Sequence, residues 1–349
     1  MKKILTALLT LCILLCAAVL PSCEKKAQKY SEYSFDYFDT VTTVIGYEND
    51  KSAFDAVCAD VFALLGEYHR LFTIYHRFEG LENLCTVNEV VNGVHRTVTV
   101  DRKIIDMLLY AKEMYTLTGG RVNVAMGSVL SIWHDYREEG MDDPTKAELP
   151  PMDKLELAAQ HTDIDDIVID EQNCTVTLLD PEMKLDVGAI AKGYAVEMVA
   201  RCLEEKGIEG YVINVGGNVR TVGAKADGEA WTVGIEDPDD EATDYLAYLY
   251  LAGESLVTSG SYQRYYFVNG KRYHHIIDPD TLMPSDCFTS VSIVCKSSGL
   301  GDALSTALFC MTLEDGQALV ESIEGVEAMW VTLDGEIYRS NGFAQYESR

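Results

Sequence analysis

The sequence has few positive charges for its length. Its 349 residues include 28 lysines and arginines against 56 aspartates and glutamates, which gives a net charge of −28 at pH 7. A chain with this charge is repelled by nucleic acids, whose binding depends on counterions displaced by basic side chains. We therefore expect no nucleic-acid partner, and a phosphorylated ligand would need a divalent cation to screen its charge.

Several motifs that would define a catalytic or metal-binding class are also missing. The ten cysteines never form a CxxC pair, so neither a zinc cage nor a full disulfide framework is indicated. No GxSxG sequence marks a nucleophilic serine, and the GxGxxG spacing of dinucleotide-binding folds is absent. The composition, with 48% hydrophobic and 24% charged residues, is nevertheless that of a globular protein.

The N-terminus has the features of an export signal. Lys2 and Lys3 precede an apolar run over residues 4–20, which is marginal in length for a membrane-spanning helix. The sequence Leu20-Pro21-Ser22-Cys23 then resembles a bacterial lipobox, in which the cysteine thiol receives the lipid. A plain secretory signal followed by a chance cysteine is the alternative interpretation.

These features divide the chain into three parts. We expect residues 1–22 to be a lipoprotein signal peptide, residues 23–34 to hold the lipidated Cys23 and a polar tether, and residues 35–349 to form one folded domain. The protein would be anchored to a bacterial cell membrane, without spanning it, and would face the extracytoplasmic side. Strands joined mostly by hairpins, with long helices at intervals, indicate an α+β (mixed α/β) domain with a largely antiparallel sheet and flanking helices.

Apolar spacing and turn residues predict the individual elements. A charged, proline-containing stretch over residues 136–153 is expected to be a surface loop. The predicted strands and hairpins cover residues 35–48, 167–179, 211–235, 256–278 and 288–295. The predicted helices cover residues 52–71, 102–117, the stretch from just after Asp186 to about Lys206, and residues 301–312.

Two of these helices carry side chains suited to an anion or a metal. Asp186 precedes a Val-Gly-Ala turn whose free N–H groups would attract an anion, and Lys192, one and a half turns into the helix, could bind it too. Asp302 and Thr306 lie four residues apart on one helix face and offer the hard oxygen ligands that suit Mg²⁺. Purely structural roles stay open: a capping aspartate, a solvated lysine and a threonine bonded to its own helix.

Residues 273–284, YHHIIDPDTLMP, place two histidines at the end of a hairpin strand. Neighbouring strand residues point to opposite faces, so joint chelation of one metal by His274 and His275 is not expected. Asp278-Pro279 fixes the strand exit and would hold His275 in one orientation, as acid/base chemistry or charge stabilisation requires. An ordinary half-exposed strand is the structural alternative.

Five segments, in this order, resemble the FAD:protein FMN transferase family, the ApbE-like flavin-trafficking lipoproteins. The resemblance covers residues 35–340 and implies Mg²⁺-dependent transfer of FMN from FAD to a threonine or serine hydroxyl of an exported acceptor protein, with release of AMP. The matching segments are TGGRVNVAMGSVLSIWHDYR (118–137), LDVGAIAKGYAVE (185–197), INVGGNV (213–219), TSGSYQRYYFVNGKRYHHIIDP (258–279) and DALSTALF (302–309).

The same resemblance implies roles for individual residues. The metal ligands would be Asp302, Thr306 and the main-chain carbonyl of Ala189. Asp302 and His275 would be the catalytic residues beside the scissile pyrophosphate. The residues expected at the flavin dinucleotide are Phe38, Tyr75, Arg121, Val122, Asn123, Asp186, Lys192 and Ile276.

The chain also departs from the family pattern in three places. Residues 119–123 read GGRVN where the family often has GGAFD, and residues 280–282 read DTL where Arg-Thr-Gly is common. Near the N-terminus, Phe38-Asp39-Thr40 replaces a Met-Gly-Thr pattern. Two other functions fit the same sequence: an FAD pyrophosphatase that gives free FMN and AMP, and a lipid-anchored flavin-binding protein without catalysis.

Overall fold

The structure is a computed structural model that describes residues 27–239 and 244–347. The predicted signal peptide and the predicted lipidation site Cys23 lie outside the described residues. Within the described ranges, no helix combines the length and the apolar character that crossing a bilayer requires.

The strands and helices of the described ranges are as follows. The strands are β1 Gln28–Tyr37, β2 Thr40–Glu48, β3 Val90–Val91, β4 Val94–His95, β5 Val98–Thr99, β6 Ile167–Asp170, β7 Thr175–Leu178, β8 Tyr211–Val215, β9 Asn218–Val222, β10 Trp231–Glu236, β11 Tyr245–Leu251, β12 Ser255–Gly260, β13 Tyr265–Val268, β14 Lys271–His274, β15 Phe288–Cys295, β16 Glu327–Thr332 and β17 Ile337–Arg339. The helices are α1 Lys51–Phe72, α2 Leu84–Val87, α3 Arg102–Leu117, α4 Gly127–Asp142, α5 Met152–Ala158, α6 Ala191–Glu205, α7 Ser298–Phe309, α8 Leu313–Glu321 and α9 Ala344–Glu347.

An antiparallel sheet forms the centre of the described part of the chain. Its strand order is β1-β2-β8-β9-β12-β15-β16-β17, and each neighbouring pair is antiparallel. The strands β10 and β11 form a separate two-stranded sheet, as do β13 and β14. Helices α1, α6 and α7 pack against this sheet, so the predicted α+β fold with a largely antiparallel sheet is confirmed.

Helices α1, α3 and α6 pack together into the largest hydrophobic core. Helix α1 begins after Asp50, whose side chain accepts a hydrogen bond from the Ala53 N–H and so caps the helix. Its buried residues Phe54, Val61 and Leu65 recur at helical spacing and join α3, α6 and β8 in one cluster. The helices predicted over residues 52–71 and 102–117 are therefore confirmed to within one residue at each end.

The folded domain begins earlier in the chain than the sequence predicts. Residues 28–34, expected to be part of a tether, belong to β1 and pair with β2. The segment is polar because β1 is an edge strand, but Tyr30 still packs its ring 5.5 Å from that of Phe54. The single strand predicted over residues 35–48 is a hairpin, which turns at Phe38-Asp39 with both residues at positive φ.

Three other boundaries also differ from the sequence prediction. The loop predicted over residues 136–153 is mostly wrong, because α4 continues to Asp142 and α5 begins at Met152. Glu139 and Asp142 lie on the exposed side of α4, whose other side buries Trp133. Helix α6 begins at Ala191, so Lys192 lies in its first turn, and α7 begins at Ser298, three residues earlier than predicted.

Candidate active site

A cavity of about 490 Å³ lies between α6, α7, β12 and the β13–β14 hairpin. It brings together most of the residues that the sequence singled out, although these are widely separated along the chain. The predicted site residues that line it are Arg121, Val122, Asn123, Ala189, Lys192, His275, Ile276, Asp302 and Thr306.

Asp302 is buried at the contact between α6 and α7. Its side chain is 5% exposed, and its Oδ2 accepts a hydrogen bond of 2.8 Å from the Gly193 N–H. The helices approach this closely because residue 193 is glycine: a Cβ there would lie 2.4 Å from the Asp302 Cβ and 2.4 Å from the Ser298 carbonyl oxygen. Burial raises the pKa of Asp302, while the Lys192 ammonium, the Gly193 N–H and the Asn218 side-chain amide act to lower it.

The second oxygen of Asp302 is only loosely paired. Its Oδ1 lies 3.8 Å from the Lys192 Nζ, which is beyond hydrogen-bonding distance. The same cavity is lined by Thr306 and by Asn218, whose buried Oδ1 has no hydrogen-bond partner in the described residues. The Thr306 hydroxyl shows no hydrogen bond back to its own helix within the described ranges. These oxygens therefore leave coordination capacity that a cation could use.

No cluster of three His, Cys, Asp or Glu side chains that could hold a metal occurs in residues 27–239 and 244–347. A metal in this cavity would instead use one carboxylate together with hydroxyl, carbonyl or water oxygens. That donor set is the one expected for a hard cation such as Mg²⁺, which retains waters and needs few protein carboxylates. The predicted ligands Asp302, Thr306 and Ala189 all line the cavity, as this arrangement requires.

The turn before α6 is built differently from the sequence prediction. Asp186 does not cap the helix; its Oδ1 accepts a hydrogen bond of 2.8 Å from the Gly188 N–H, and Ile190 occupies the capping position without a side-chain bond. Burial raises the pKa of Asp186. Asp186 is not among the residues that line the cavity, whereas Lys192 lines it and places its Nζ 3.4 Å from the Gly188 carbonyl oxygen.

The two histidines diverge, as the sequence predicts. His274 is buried, donates from Nε2 to the Ser285 carbonyl at 2.7 Å and has a structural role. His275 lines the cavity, and its main-chain N–H and its Nδ1 lie 3.1 and 3.3 Å from the Arg264 carbonyl oxygen. Because a carbonyl only accepts, the proton of the neutral His275 ring resides on Nδ1, and Nε2 carries the free lone pair.

His275 is uncharged at neutral pH. Burial lowers its pKa to about 3, and the nearby positive charges of Arg264, Lys192 and Arg137 act in the same direction, as does His274. A neutral imidazole with a free Nε2 can accept a proton from a bound hydroxyl. An anionic ligand in the cavity would raise this pKa again, because negative charge stabilises the imidazolium.

The other side of the cavity holds three of the site residues that depart from the family pattern, Arg121, Val122 and Asn123. Arg121 donates to Asp278 at 2.9 Å and to Asp280 at 2.7 Å. Asn123 uses both ends of its amide on main-chain groups, those of Thr162 and Ala125. Val122, also part of this wall, is 1% exposed and packs into the main core. Arg121 and Asn123 thus line the cavity with side chains that are already bonded to the protein.

Phe38 and Tyr75 are placed in an adjoining cavity of about 130 Å³. The Phe38 N–H donates to His69 Nδ1 at 3.0 Å, which fixes the β1–β2 turn beside this cavity. Tyr75 is 54% exposed, and its ring centroid lies 5.3 Å from that of His134. Both residues therefore lie in the same region as the other predicted site residues, in a cavity that shares four lining residues with the main one.

Sequence reasoning missed two residues of the site. Asn218 follows the diglycine in INVGGNV, and Arg264 lies in the segment TSGSYQRYYFV, yet neither was singled out within its segment. The signal for Asn218 was weak because a buried asparagine after a turn is common. Arg264 looked like an exposed strand residue, and only the fold brings its main-chain carbonyl onto His275.

The protein is thus an α+β protein with one cavity that is lined by a buried carboxylate (Asp302), a lysine (Lys192) and a neutral histidine (His275). A sequence model described as the ApbE family matches residues 38–330. A protein named FAD:protein FMN transferase from Klebsiella pneumoniae (strain 342) is 34% identical over 288 residues, which cover 82% of this chain and 85% of that protein. A protein of the same name from Treponema pallidum (strain Nichols) is 32% identical over 259 residues, 70% of each chain.

The fold is similar as well. The crystal structure of the ApbE protein from Thermotoga maritima superposes with a TM-score of 0.79 at 27% sequence identity and covers 92% of this chain and 100% of that chain. The chain described here belongs to the ApbE family. The resemblance inferred from the five segments is therefore confirmed.

Proposed function

We propose that the protein is an FAD:protein FMN transferase, which moves FMN from FAD to a threonine or serine hydroxyl of an exported acceptor protein. The observation that carries this proposal is the meeting of Lys192, His275, Asp302 and Thr306 around one cavity. Relatives named for this activity are 34% and 32% identical to the chain. A positively charged lysine and the free N-terminus of α6 suit the anionic part of such a substrate.

Asp302, Thr306 and the Ala189 carbonyl would hold Mg²⁺ in this reaction. The support is the set of oxygen donors itself, together with the loosely paired Asp302 Oδ1 and the unpartnered Asn218 Oδ1. When bound, Mg²⁺ would offset the negative charge on the non-bridging phosphate oxygens as AMP departs. Gly193 keeps Asp302 oriented through the hydrogen bond from its N–H.

His275 would act as the general base. Its Nε2 would take the proton from the acceptor hydroxyl, whose oxygen then forms a bond to the FMN phosphorus while the bond from that phosphorus to the AMP oxygen breaks. The Arg264 carbonyl keeps the imidazole in the required tautomer, because it accepts a hydrogen bond from the Nδ1–H. Lys192 would neutralise part of the phosphate charge from the α6 side of the cavity.

A hydrolase would use the same cavity, with water in place of the acceptor hydroxyl. We would incubate the full chain in detergent with FAD and Mg²⁺, with and without an exported acceptor protein, and measure AMP, free FMN and protein-bound flavin fluorescence. Bound flavin that appears only with the acceptor is the expected result. Free FMN without acceptor would favour the pyrophosphatase, and no AMP in either sample would favour a non-catalytic flavin-binding protein.

The location of the protein is a separate proposal. We infer that Cys23 is lipidated and anchors the domain to the extracytoplasmic face of a bacterial cell membrane. The support is Lys2 and Lys3, the apolar residues 4–20 and the lipobox-like sequence that ends at Cys23. We expect Cys23→Ser to move the protein from the membrane fraction to the soluble fraction and to remove the lipid mass; an unchanged distribution would contradict the anchor.

A further inference from the structure

The main cavity and the smaller adjoining cavity share one wall. Four residues line both of them: Asp39, Gly188, Lys192 and Arg264. The smaller cavity is otherwise rich in aromatic side chains, including Phe38, Phe72 and Tyr75. A ligand that extended into both cavities would therefore place its central portion near the positively charged side chains of Lys192 and Arg264.

Among the arginines that line the two cavities, Arg121 and Arg264 differ in their ion pairs. Arg121, Arg201 and Arg220, for example, each pair with a carboxylate within 4 Å. Within the described ranges, Arg264 makes no such ion pair, and its Nη2 lies 3.4 Å from the Asp39 carbonyl oxygen. Arg264 is exposed, and no carboxylate lies within the 4 Å of an ion pair in the described ranges, so its guanidinium is available for an external anion.

The same residue is linked to the catalytic histidine through its main chain. The Arg264 carbonyl lies 3.1 Å from the His275 main-chain nitrogen and 3.3 Å from Nδ1. An anion bound by the guanidinium would therefore lie near the residue that fixes the His275 ring. The position of Arg264 at the foot of the β13–β14 hairpin, one residue before β13, makes both contacts possible.

We propose that the Arg264 guanidinium binds the pyrophosphate of FAD where the lining of the two cavities is shared. This inference rests on the proposed function, because it takes FAD as the ligand. A planar guanidinium donates two parallel hydrogen bonds to phosphate oxygens, so it orients the group as well as attracting it. Arg264 is accordingly a substrate-binding residue that places the scissile bond beside His275.

The direct test compares ligand affinity in variants of the full chain. We would measure binding of FAD and of riboflavin, which lacks phosphate, by flavin fluorescence with Mg²⁺ present. Arg264→Gln should weaken FAD binding about 10- to 100-fold, the range expected for loss of hydrogen bonds to a charged group, and leave riboflavin binding unchanged. Arg264→Lys should recover part of the FAD affinity, because the charge returns without the two parallel donors.

Lys271 provides a matched control on the same hairpin. It is exposed, its Nζ lies 5.2 Å from the centre of the Tyr273 ring, and it lines neither cavity. Lys271→Gln removes the same charge from the same element and should leave FAD affinity unchanged. Equal losses in Lys271→Gln and Arg264→Gln would overturn the proposal, because the effect would then come from overall charge.

A pH profile distinguishes this role from a purely structural one. The charged or titratable groups that face His275 are Arg264, His274, Lys192 and Arg137. Loss of the Arg264 charge makes the imidazolium less unfavourable, so the acidic limb of turnover should move to higher pH in Arg264→Gln. FAD affinity equal to that of the unmodified protein, or an equal loss of riboflavin binding, would overturn the inference. A failure of the unmodified protein to release AMP from FAD would instead refute the proposed function.

Discussion

The two sides of the cavity differ in how they hold their charged groups. On the α6–α7 side, Asp302 is buried against the Gly193 N–H and has one loosely paired oxygen. On the opposite side, Arg121 is paired with both Asp278 and Asp280, and the Asp280 side chain is 68% exposed. Asp302 therefore has an incompletely paired oxygen although it is buried. The charge of Arg121, in contrast, is balanced by two carboxylates of the protein, one of them exposed.

This difference indicates which side of the cavity takes part in the reaction and which side only encloses the ligand. A buried carboxylate with incomplete pairing is costly to maintain, and it is retained where a bound cation or substrate completes its interactions. The Asp280 partner of Arg121 is exposed, and an exposed ion pair contributes little to stability or to electrostatic stabilisation, since water screens the charges. We therefore expect substitutions to have large effects on turnover at the α6–α7 side and at His275, and small effects at the Arg121 side.

The largest effect is expected at His275. His275→Asn removes the Nε2 lone pair and should lower kcat about 10²- to 10⁴-fold, the usual contribution of a general base, with FAD affinity nearly unchanged. Single-turnover release of AMP, together with flavin binding by fluorescence, would measure the two quantities separately. A normal turnover rate would assign His275 a structural role only.

Asp302→Asn should have the next largest effect on turnover. The amide keeps the shape of the side chain but removes its negative charge, and we expect a loss of about 10²- to 10³-fold, as for other electrostatic groups at reacting centres. Higher Mg²⁺ concentrations should restore part of the rate if the carboxylate binds the ion. The folded protein should not lose stability, because burial already raises the pKa of Asp302 and so disfavours the charged form.

A magnesium titration of both proteins, with thermal unfolding as a second readout, tests this expectation. Unfolding of Asp302→Asn at a much lower temperature than the unmodified protein would show that the carboxylate is needed for folding. An unchanged magnesium requirement would contradict its assignment as a metal ligand.

Gly193→Ala tests the close approach of the two helices. The added Cβ would meet Asp302 and Ser298 at 2.4 Å, so α6 and α7 must separate, at a cost of about 1–3 kcal/mol in the free energy of unfolding. Turnover should fall as well, because Asp302 moves with α7. Chemical denaturation would measure the stability change.

Gly316→Ala is the matched control for this substitution. In α8 the added Cβ would approach no other atom closer than 3.4 Å, which is ordinary contact. Alanine also favours a helix over glycine by about 1 kcal/mol, so this variant should be as stable as the unmodified protein or more so. Equal destabilisation in both variants would show that crowding against Asp302 is not the cause.

The sequence predicted the local parts of the site better than their assembly. The spacing of Asp302 and Thr306 on one helix face follows from helical geometry, and the divergence of His274 and His275 follows from strand geometry. The hydrogen bond from Gly193 to Asp302 joins residues 109 positions apart, and no local pattern contains that information. The resemblance to the family does contain it, because it assigns these separate segments to one site.

The starts of β1 and α6 differ from the sequence prediction for other reasons. The polar composition of residues 28–34 predicts a tether, whereas pairing with β2 determines that they form a strand. Helix α6 begins at Ala191 and not directly after Asp186, because the Asp186 carboxylate accepts a hydrogen bond from the Gly188 N–H in a turn and does not cap the helix. Pairing with a second strand thus accounts for the first boundary, and a local side-chain hydrogen bond accounts for the second.

The smallest effect is expected at Asp280, where two departures from the family pattern prove to be one interaction. Arg121 and Asp280 lie 159 positions apart, yet they form an ion pair of 2.7 Å that the separate segments did not reveal. Asp280→Asn leaves Arg121 bonded to Asp278, and we expect a stability change of about 0–1 kcal/mol with turnover nearly unchanged. Steady-state kinetics beside Asp302→Asn would measure the contrast. If both substitutions lowered turnover equally, the internally paired wall would have to take part in the chemistry, and the distinction between the two sides of the cavity would be lost.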